Sequence, residues 1–465
     1  INQDIYYVCY KDNQQAILVP NRNSYLTWDE DYNGVNEKPL MKQLPYIDMD
    51  GEKDHTFMVQ ANMGIGKTIE IHRYLNEEQF DNKKMLIISY RVFLCSEYYK
   101  NFNDLGFKDY RDISPYTSDE KDFDRVITCF DSLSKFSGHI YDVVILDEID
   151  SVLAHASSSL MKSCGRRQIA QQLFGHFIRK AKLVICADAY LDNQRCVSVM
   201  KMLRKESKFY CIRNRFIRET NRNAYIYRHY IINKGNTENI RFNNKLLEEI
   251  IINRKKVVVV SMSKRYCKTI QDLLDEEGVK YYSYNSETDD ATKKEHSKNI
   301  RKTWRDKDIR VVLYTPTITA GISFQDTIDT NDGIDTLLED EKFDSLFCYC
   351  NANQRNTCSV DDIKQMLFRV RQLKTGDMYI LLHYGLTERT LIPDTINEVK
   401  ALYQRNQKSI FSIYGEPPIP PEIDGEGYFK YDDTDWLHHL FCCNISRREQ
   451  SSMYFEPILR DFFSS

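Results

Sequence analysis

From about Thr56 onward, short apolar runs alternate with longer amphipathic stretches. Thr56–Gln60, Met85–Ser89, Val126–Cys129, Val143–Leu146 and Leu183–Ala187 are compact, largely aliphatic and without polar alternation. Runs of this kind suit strands buried on both faces of a parallel sheet. Helical periodicity lies between them, as in Thr68–Glu78. Strand–helix–strand alternation predicts a doubly wound α/β layer. The pattern then restarts. Val257–Ser261, Lys280–Tyr284, Arg310–Tyr314, Phe343–Tyr349 and Met378–His383 read as strands. Lys264–Leu274, Asp290–Trp304 and Asp362–Leu373 read as helices. Two α/β units are therefore expected, meeting near 215–235. Residues 1–45 have weak periodicity. After about 395 the pattern turns helical, interrupted by Glu416-Pro417-Pro418-Ile419-Pro420-Pro421, a stiff spacer. The acidic stretch Gln325–Glu341 reads as a surface insertion.

Ala61-Asn62-Met63-Gly64-Ile65-Gly66-Lys67-Thr68 follows a buried run and opens a helical one. That is the context a phosphate-binding loop requires. Gly64 and Gly66 let the backbone of Met63–Gly66 turn its N–H groups toward phosphate oxygens. The Lys67 ammonium suits the β- and γ-phosphates, and the Thr68 hydroxyl suits Mg²⁺. Asp147-Glu148-Ile149-Asp150 follows Val143–Leu146. Acids at a strand end lie at the carboxyl edge of a parallel sheet, beside such a loop. Asp147 would hold Mg²⁺ through water, and Glu148 would orient and deprotonate the attacking water.

The second unit adds two patterns. Gln365-Met366-Leu367-Phe368-Arg369-Val370-Arg371 places a Gln and two arginines on an expected helix. A guanidinium there would stabilise γ-phosphate charge. Tyr314-Thr315-Pro316-Thr317-Ile318-Thr319-Ala320-Gly321-Ile322-Ser323-Phe324 ends a buried run and offers hydroxyls and N–H groups to phosphate oxygens.

Bulk properties narrow the class. The chain has 465 residues, enough for two or three domains. No apolar run approaches the roughly 20 residues of a membrane helix. The opening Ile1-Asn2-Gln3-Asp4 has no signal-peptide character and reads as part of a longer or renumbered protein. Net charge is −4, so any polyanion site must be local. The 13 cysteines lie mostly inside apolar runs and read as reduced core thiols of an intracellular protein. Of two groups, Cys348/Cys350/Cys358 and His438/His439/Cys442/Cys443, the second would put a His and a Cys at i,i+4 on a helix as a zinc half-site; neither supplies four ligands at zinc spacing, and both read rather as core thiols beside ordinary histidines. Residues 201–230 interleave nine Lys and Arg with aromatic rings. They suit either a single-strand groove or a solvated linker with its aromatics in the core.

Residues 61–68, 147–150, 315–324 and 365–371 resemble motifs I, II, V and VI of superfamily 2 helicases, in order. Thr315–Phe324 together with Arg369-Val370-Arg371 resembles the herpesvirus origin-binding-protein helicases and their relatives in large cytoplasmic DNA viruses, including a primase–helicase. The likeness covers roughly residues 55–385. It implies two RecA-like domains, 46–215 and 216–395, with an N-terminal extension 1–45 and an accessory segment 396–465. It implies an ATP- and Mg²⁺-dependent motor that moves 3′ to 5′ on single-stranded DNA and unwinds duplex during viral replication. A cytoplasmic host-cell location would follow, with the nucleus the alternative, and primase or other replication proteins as partners. Ser89-Tyr90-Arg91 then looks like motif Ia and Thr128–Ser132 like motif Ib. Ala187-Asp188-Ala189 stands at motif III, and Ser261-Met262-Ser263 at motif IV. Ser89, Arg91, Thr128, Ser261, Ser263, Thr315 and Thr319 would contact the strand, and Gly321 the nucleotide. Phe368 departs from the usual Gly of motif VI. Gln372 stands where its last Arg falls, which leaves Arg369 and Arg371 as alternative fingers beside Gln365. No adenine-reading Gln motif precedes residue 61, so loose base selectivity is expected. An RNA helicase, a remodeller that does not unwind, or an origin-recognition scaffold locked by ATP remain rival readings.

Overall fold

The computed structural model describes residues 6–10, 16–20, 28–32, 43–62, 64–114, 119–157, 164–191, 193–216, 222–231, 237–289, 292, 295–296, 300–316, 324, 327–330, 333–352, 358–385, 395–405, 425 and 434–464. The proline spacer 416–421 and most of the expected helix Asp290–Trp304 lie outside them; Ile300–Trp304 is helical. The chain divides into two compact units. The first comprises Ile1–Tyr7, Pro20–Arg218 and Pro393–Arg447, and the second Val8–Val19, Glu219–Ile392 and Arg448–Ser465.

The strands, in chain order, are β1 (Tyr6–Tyr10), β2 (Ala16–Pro20), β3 (Glu30–Tyr32), β4 (His55–Ala61), β5 (Met85–Ser89), β6 (Lys108–Asp109), β7 (Arg125–Cys129), β8 (Val143–Asp147), β9 (Leu183–Asp188) and β10 (Lys208–Asn214). They continue as β11 (Asn223–Tyr230), β12 (Val257–Ser261), β13 (Tyr281–Tyr284), β14 (Val311–Tyr314), β15 (Thr327–Thr330), β16 (Gly333–Thr336), β17 (Ser345–Asn351) and β18 (Asp377–Tyr384).

The first unit is built on an eight-stranded sheet in the order β3-β10-β4-β9-β8-β5-β7-β6. Every pairing is parallel. Every residue of β4, β5, β8 and β9 is buried. Both faces of these strands are therefore covered, which explains the continuous apolar runs. The phosphate-loop strand β4 and the acidic strand β8 flank β9, the arrangement of a RecA-like domain.

The second unit carries a six-stranded, all-parallel sheet, β11-β18-β17-β12-β14-β13. Its core gathers Phe242, Leu246, Ile250, Val257, Val259, Ile270, Leu274, Val311, Leu313, Phe347 and Leu381. This is a second RecA-like layer. β15 and β16 pair antiparallel inside the acidic insertion. The helix Phe455–Ser464 is fastened to this unit through Glu456. That carboxylate accepts from Arg228 Nη2 at 2.6 Å, Tyr384 Oη at 2.7 Å and Arg460 Nε at 2.8 Å.

Two expectations are corrected. The helix expected over Asp362–Leu373 is Val360–Leu367, with Phe368 at its C-cap. Arg369 and Arg371 therefore follow the helix instead of riding on it. Val370 makes a parallel bridge to Phe324, with Phe324 N donating to Arg369 O at 2.7 Å and Arg371 N to Phe324 O at 2.8 Å. Backbone pairing to residue 324 outcompetes further helical turns, which would leave Phe324 unpaired.

The basic and aromatic stretch 201–230 contains two sheet strands, β10 and β11. Three of its cations serve the fold. Arg204 is 4% exposed and donates to the carbonyls of Ile178, Ala181, His55 and Lys182 and to Thr56 Oγ1. Arg222 donates to the carbonyls of Leu367, Val370 and Arg371. Arg228 pairs with Glu456. Polar side chains with interior duties hid the strands from an apolar-pattern reading. Among the described residues, no helix is long and apolar enough to cross a membrane.

Candidate active site

β4 ends at Ala61, and the chain turns through Gly64 at φ 76° and Gly66 at φ 97° before the helix Lys67–Leu75 begins. Both glycines occupy the left-handed region, which other residues enter at a cost of about 1–2 kcal/mol. A Cβ on Gly66 would meet no atom within 4 Å, so that position demands glycine for its backbone and not for space. Ile65 is 2% exposed and anchors the turn in the core. The Lys67 ammonium lies over the loop, donating to Ala61 O at 2.6 Å and Asn62 O at 3.2 Å. Met63 is outside the described residues.

The loop meets the acidic strand end directly. Thr68 Oγ1 donates to Asp147 Oδ2 at 2.9 Å. Burial raises the Asp147 carboxyl above its ordinary range, while Lys67 and the Thr68 hydroxyl pull it back down. Glu148 follows at φ 61° and ψ 48°, a left-handed conformation rare for a non-glycine residue, and caps the helix Ile149–Ala156. Asp150 N donates to Asp188 Oδ2 at 2.9 Å, and Tyr190 N to Asp188 Oδ1 at 3.0 Å. Asp188, at the end of β9, thus ties the acidic segment to the next strand. Burial and the neighbouring Asp150 push its carboxyl up to about 7. Its role was visible in the sequence only as a motif position, because an Asp at a strand end does not reveal its partner.

Ser89 ends β5, and Thr128 stands one residue before the end of the adjacent strand β7. Both are fully buried, and their hydroxyls turn to backbone: Ser89 Oγ donates to Arg91 O at 3.4 Å, and Thr128 Oγ1 to Cys129 O at 3.2 Å. Arg91 stacks on the Tyr90 ring at 5.2 Å and precedes the helix Val92–Phe102.

In the second unit, Ser261 Oγ donates to Ser263 O at 2.9 Å, and Ser263 caps the helix Lys264–Glu276 by accepting from Tyr266 N at 3.2 Å. Thr315 is 6% exposed, and its N–H donates to Tyr284 O. Thr319 and Gly321 lie outside the described residues. Gln365 sits on Val360–Leu367, half-buried. Arg369 is 6% exposed and Arg371 half-buried.

Arg222 is the residue the sequence reading misplaced. Its guanidinium holds Leu367 O at 3.0 Å and Arg371 O at 2.9 Å, and also Val370 O, so it fixes the segment that carries both arginines. Burial lowers its pKa to about 10. It lies over the Phe368 ring at 4.4 Å, which gives the departure from glycine at that position a physical purpose.

Among the described residues, no group of three or more His, Cys, Asp or Glu is placed to hold a metal. Cys348 and Cys350 are buried thiols with sulfurs 3.4 Å apart. His439 Nε2 lies 2.7 Å from Ser198 Oγ and 3.1 Å from Gln194 O.

A phosphate-type loop joined by a hydroxyl–carboxylate bond to an acidic strand end, on a RecA-like sheet, defines a P-loop protein. The sequence profile of a family described as "Origin of replication binding protein" matches residues 47–249. The chain is 25% identical over 429 residues to a protein of African swine fever virus (isolate Pig/Kenya/KEN-50/1950) named for the helicase/primase complex, covering 88% of this chain and 37% of the relative. It is 28% identical over 349 residues to a protein of Acanthamoeba polyphaga mimivirus named for replication-origin binding, covering 72% of this chain and 39% of that relative. The chain thus spans well under half the length of these relatives. Among solved structures, the Mycobacterium smegmatis helicase Lhr bound to ssDNA and AMP-PNP aligns with a TM-score of 0.43 at 10% identity, covering 72% of this chain and 44% of that one. By the family profile and its relatives in sequence, the chain resembles the origin-binding-protein helicases of herpesviruses and large DNA viruses.

Proposed function

We propose that this chain is the motor part of a viral replication helicase. It hydrolyses ATP, moves 3′ to 5′ along single-stranded DNA and unwinds duplex. The observation that carries this is the bond from Thr68 to Asp147, which brings the phosphate loop and the acidic strand end into one site. Its relatives, named for helicase/primase and origin-binding proteins, support a replication role.

Lys67 turns from the loop carbonyls to the β- and γ-phosphates when ATP enters. Thr68 Oγ1 and Asp147 Oδ2 are hard oxygen donors 2.9 Å apart, a pair that fits Mg²⁺, which when bound with ATP would neutralise phosphate charge. Glu148 orients the attacking water and takes its proton. Arg369 or Arg371 neutralises charge developing on the γ-phosphate, and Gln365 assists in placing the water. Arg91 and Ser263 would contact the strand, while the buried Ser89, Thr128, Ser261 and Thr315 would shape the loops that present backbone donors to it. The work is done at the replication site in the host-cell cytoplasm, beside a primase or other replication protein.

The deciding assay is ATP turnover with and without single-stranded DNA or RNA, with Lys67→Ala as blank. Stimulation by DNA, lost by on the order of 10²-fold in the blank, is the expected result. Stimulation by RNA alone would move the substrate to RNA. ATP binding without turnover would favour a conformational lock at an origin. Turnover indifferent to either polymer would end the motor reading.

A further inference from the structure

The acidic segment holds a residue in a costly conformation. Glu148 is left-handed at φ 61°, and such strain persists only where the surroundings over-determine it. On its N-terminal side, Asp147 is held by Thr68. On its C-terminal side, Asp150 is held by four partners. Its N–H donates to Asp188. Its carboxylate accepts from Arg195 Nε at 3.0 Å and from Arg447 Nη1 at 2.7 Å, with Cys196 Sγ a further 3.3 Å donor. Asp150, Arg195 and Arg447 are 8%, 5% and 6% exposed, so two cations converge on one carboxylate away from water.

Arg447 comes from far along the chain, on the helix Trp436–Met453. Its fit to the first unit is not a single contact. Trp436 packs on Phe174 with ring centroids 5.6 Å apart. His439 reaches Ser198 and Gln194 O, and Cys443 Sγ donates to Gln194 O at 3.0 Å. Asn444 accepts from Arg195 Nη1 at 2.5 Å and donates to Leu153 O at 3.3 Å on the very helix that Glu148 caps. His439, Cys443 and Arg447 recur at i, i+4 and i+8, one face of a helix. That face is dedicated to the acidic segment and its neighbours. The region lies outside residues 47–249, which the family profile matches.

We infer that Arg447, with Arg195, is a positioning residue of the hydrolytic site: it anchors Asp150 so that Glu148 is kept in its left-handed, water-activating pose. The C-terminal helix is then an integral part of the ATPase machinery and not an accessory. The inference rests on the proposed ATPase reading for its kinetic consequence, and on geometry alone for its structural one.

The test uses the full chain with Arg447→Met, which keeps the stem and removes the charge, and with Arg447→Lys, which keeps the charge. Two readouts are taken: DNA-stimulated ATP turnover, and hydrogen exchange in peptides covering 143–156 and 85–89. Expected for Arg447→Met is a kcat lower by about 10- to 100-fold, as for a misplaced catalytic group, with KM for ATP within about threefold. Exchange should accelerate in 143–156 and stay unchanged in 85–89, and Arg447→Lys should recover most of the kcat. Three results would overturn the inference: turnover within twofold of the parent; faster exchange in both peptides with kcat and KM failing together, which marks general unfolding; or no change in 143–156. If the parent chain hydrolyses no ATP, the proposed function fails. The exchange comparison still decides whether Arg447 holds the acidic segment.

Discussion

At the scale of single residues, the site works through conformations that most side chains avoid. Glu148 pays for a left-handed backbone to present its carboxylate at the end of β8. Glu148→Gln keeps the shape and loses the base, so turnover should fall by on the order of 10²- to 10⁴-fold while nucleotide affinity holds. Glu148→Gly should lose turnover as well, yet unfold at higher urea than Glu148→Gln, by about 1 kcal/mol, because glycine enters this region freely. Equal stability of the two variants would show that the strain is absent.

Asp188 allows a pH test. Its carboxyl is raised from 3.8 to about 7 by burial and by Asp150, so the folded chain keeps a proton that the unfolded chain has shed. The stability it contributes is fully present below about 4 and is lost as pH rises through about 7. Asp188→Asn should flatten the fall in urea midpoint between pH 4.5 and 7. An unchanged slope would assign that dependence to other groups.

At the scale of elements, buried cations join backbone carbonyls from separate segments. Arg204 gathers carbonyls from the end of Cys164–Lys180, the turn that follows it and the start of β4, tying three neighbouring segments together. In the second unit Lys256 does the same for Trp304 O, Asp306 O and Glu341 O, and burial lowers its pKa to about 8. Removing either takes the charged donor away from several backbone carbonyls at once. Arg204→Met and Lys256→Met should each cost about 3 kcal/mol or more. Exchange should quicken in β4 and β9 for the first and in β12 and β14 for the second. Arg204→Met should also leave DNA affinity per folded molecule unchanged. A loss of affinity at intact stability would return Arg204 to the nucleic-acid contacts that its sequence neighbourhood suggested.

At the scale of the whole molecule, a chain of net charge −4 has to bind a polyanion through local contacts. The proposed grip relies on backbone N–H groups and on a small number of cations such as Arg91. The affinity for single-stranded DNA should therefore fall only gently with salt. The log–log slope should be about −2 to −3, equivalent to three or four neutralised phosphates at roughly −0.7 each. A slope steeper than about −6 would mean that a basic groove dominates the binding.

The sequence by itself determined the parts whose physics is local. Apolar runs marked β4, β5, β8, β9, β12 and β14 because strands buried on both faces admit little else. Gly64, Gly66, Lys67 and Thr68 were legible because a phosphate loop needs those residue types in that order. Tertiary structure decided what local patterning cannot carry. It ended the helix at Leu367 because Val370 pairs with Phe324, distant in sequence. It turned Arg204 and Arg222 inward because carbonyls from remote segments converge on them. It brought Arg447 to Asp150, 297 positions apart, a pairing of charges that no periodicity encodes.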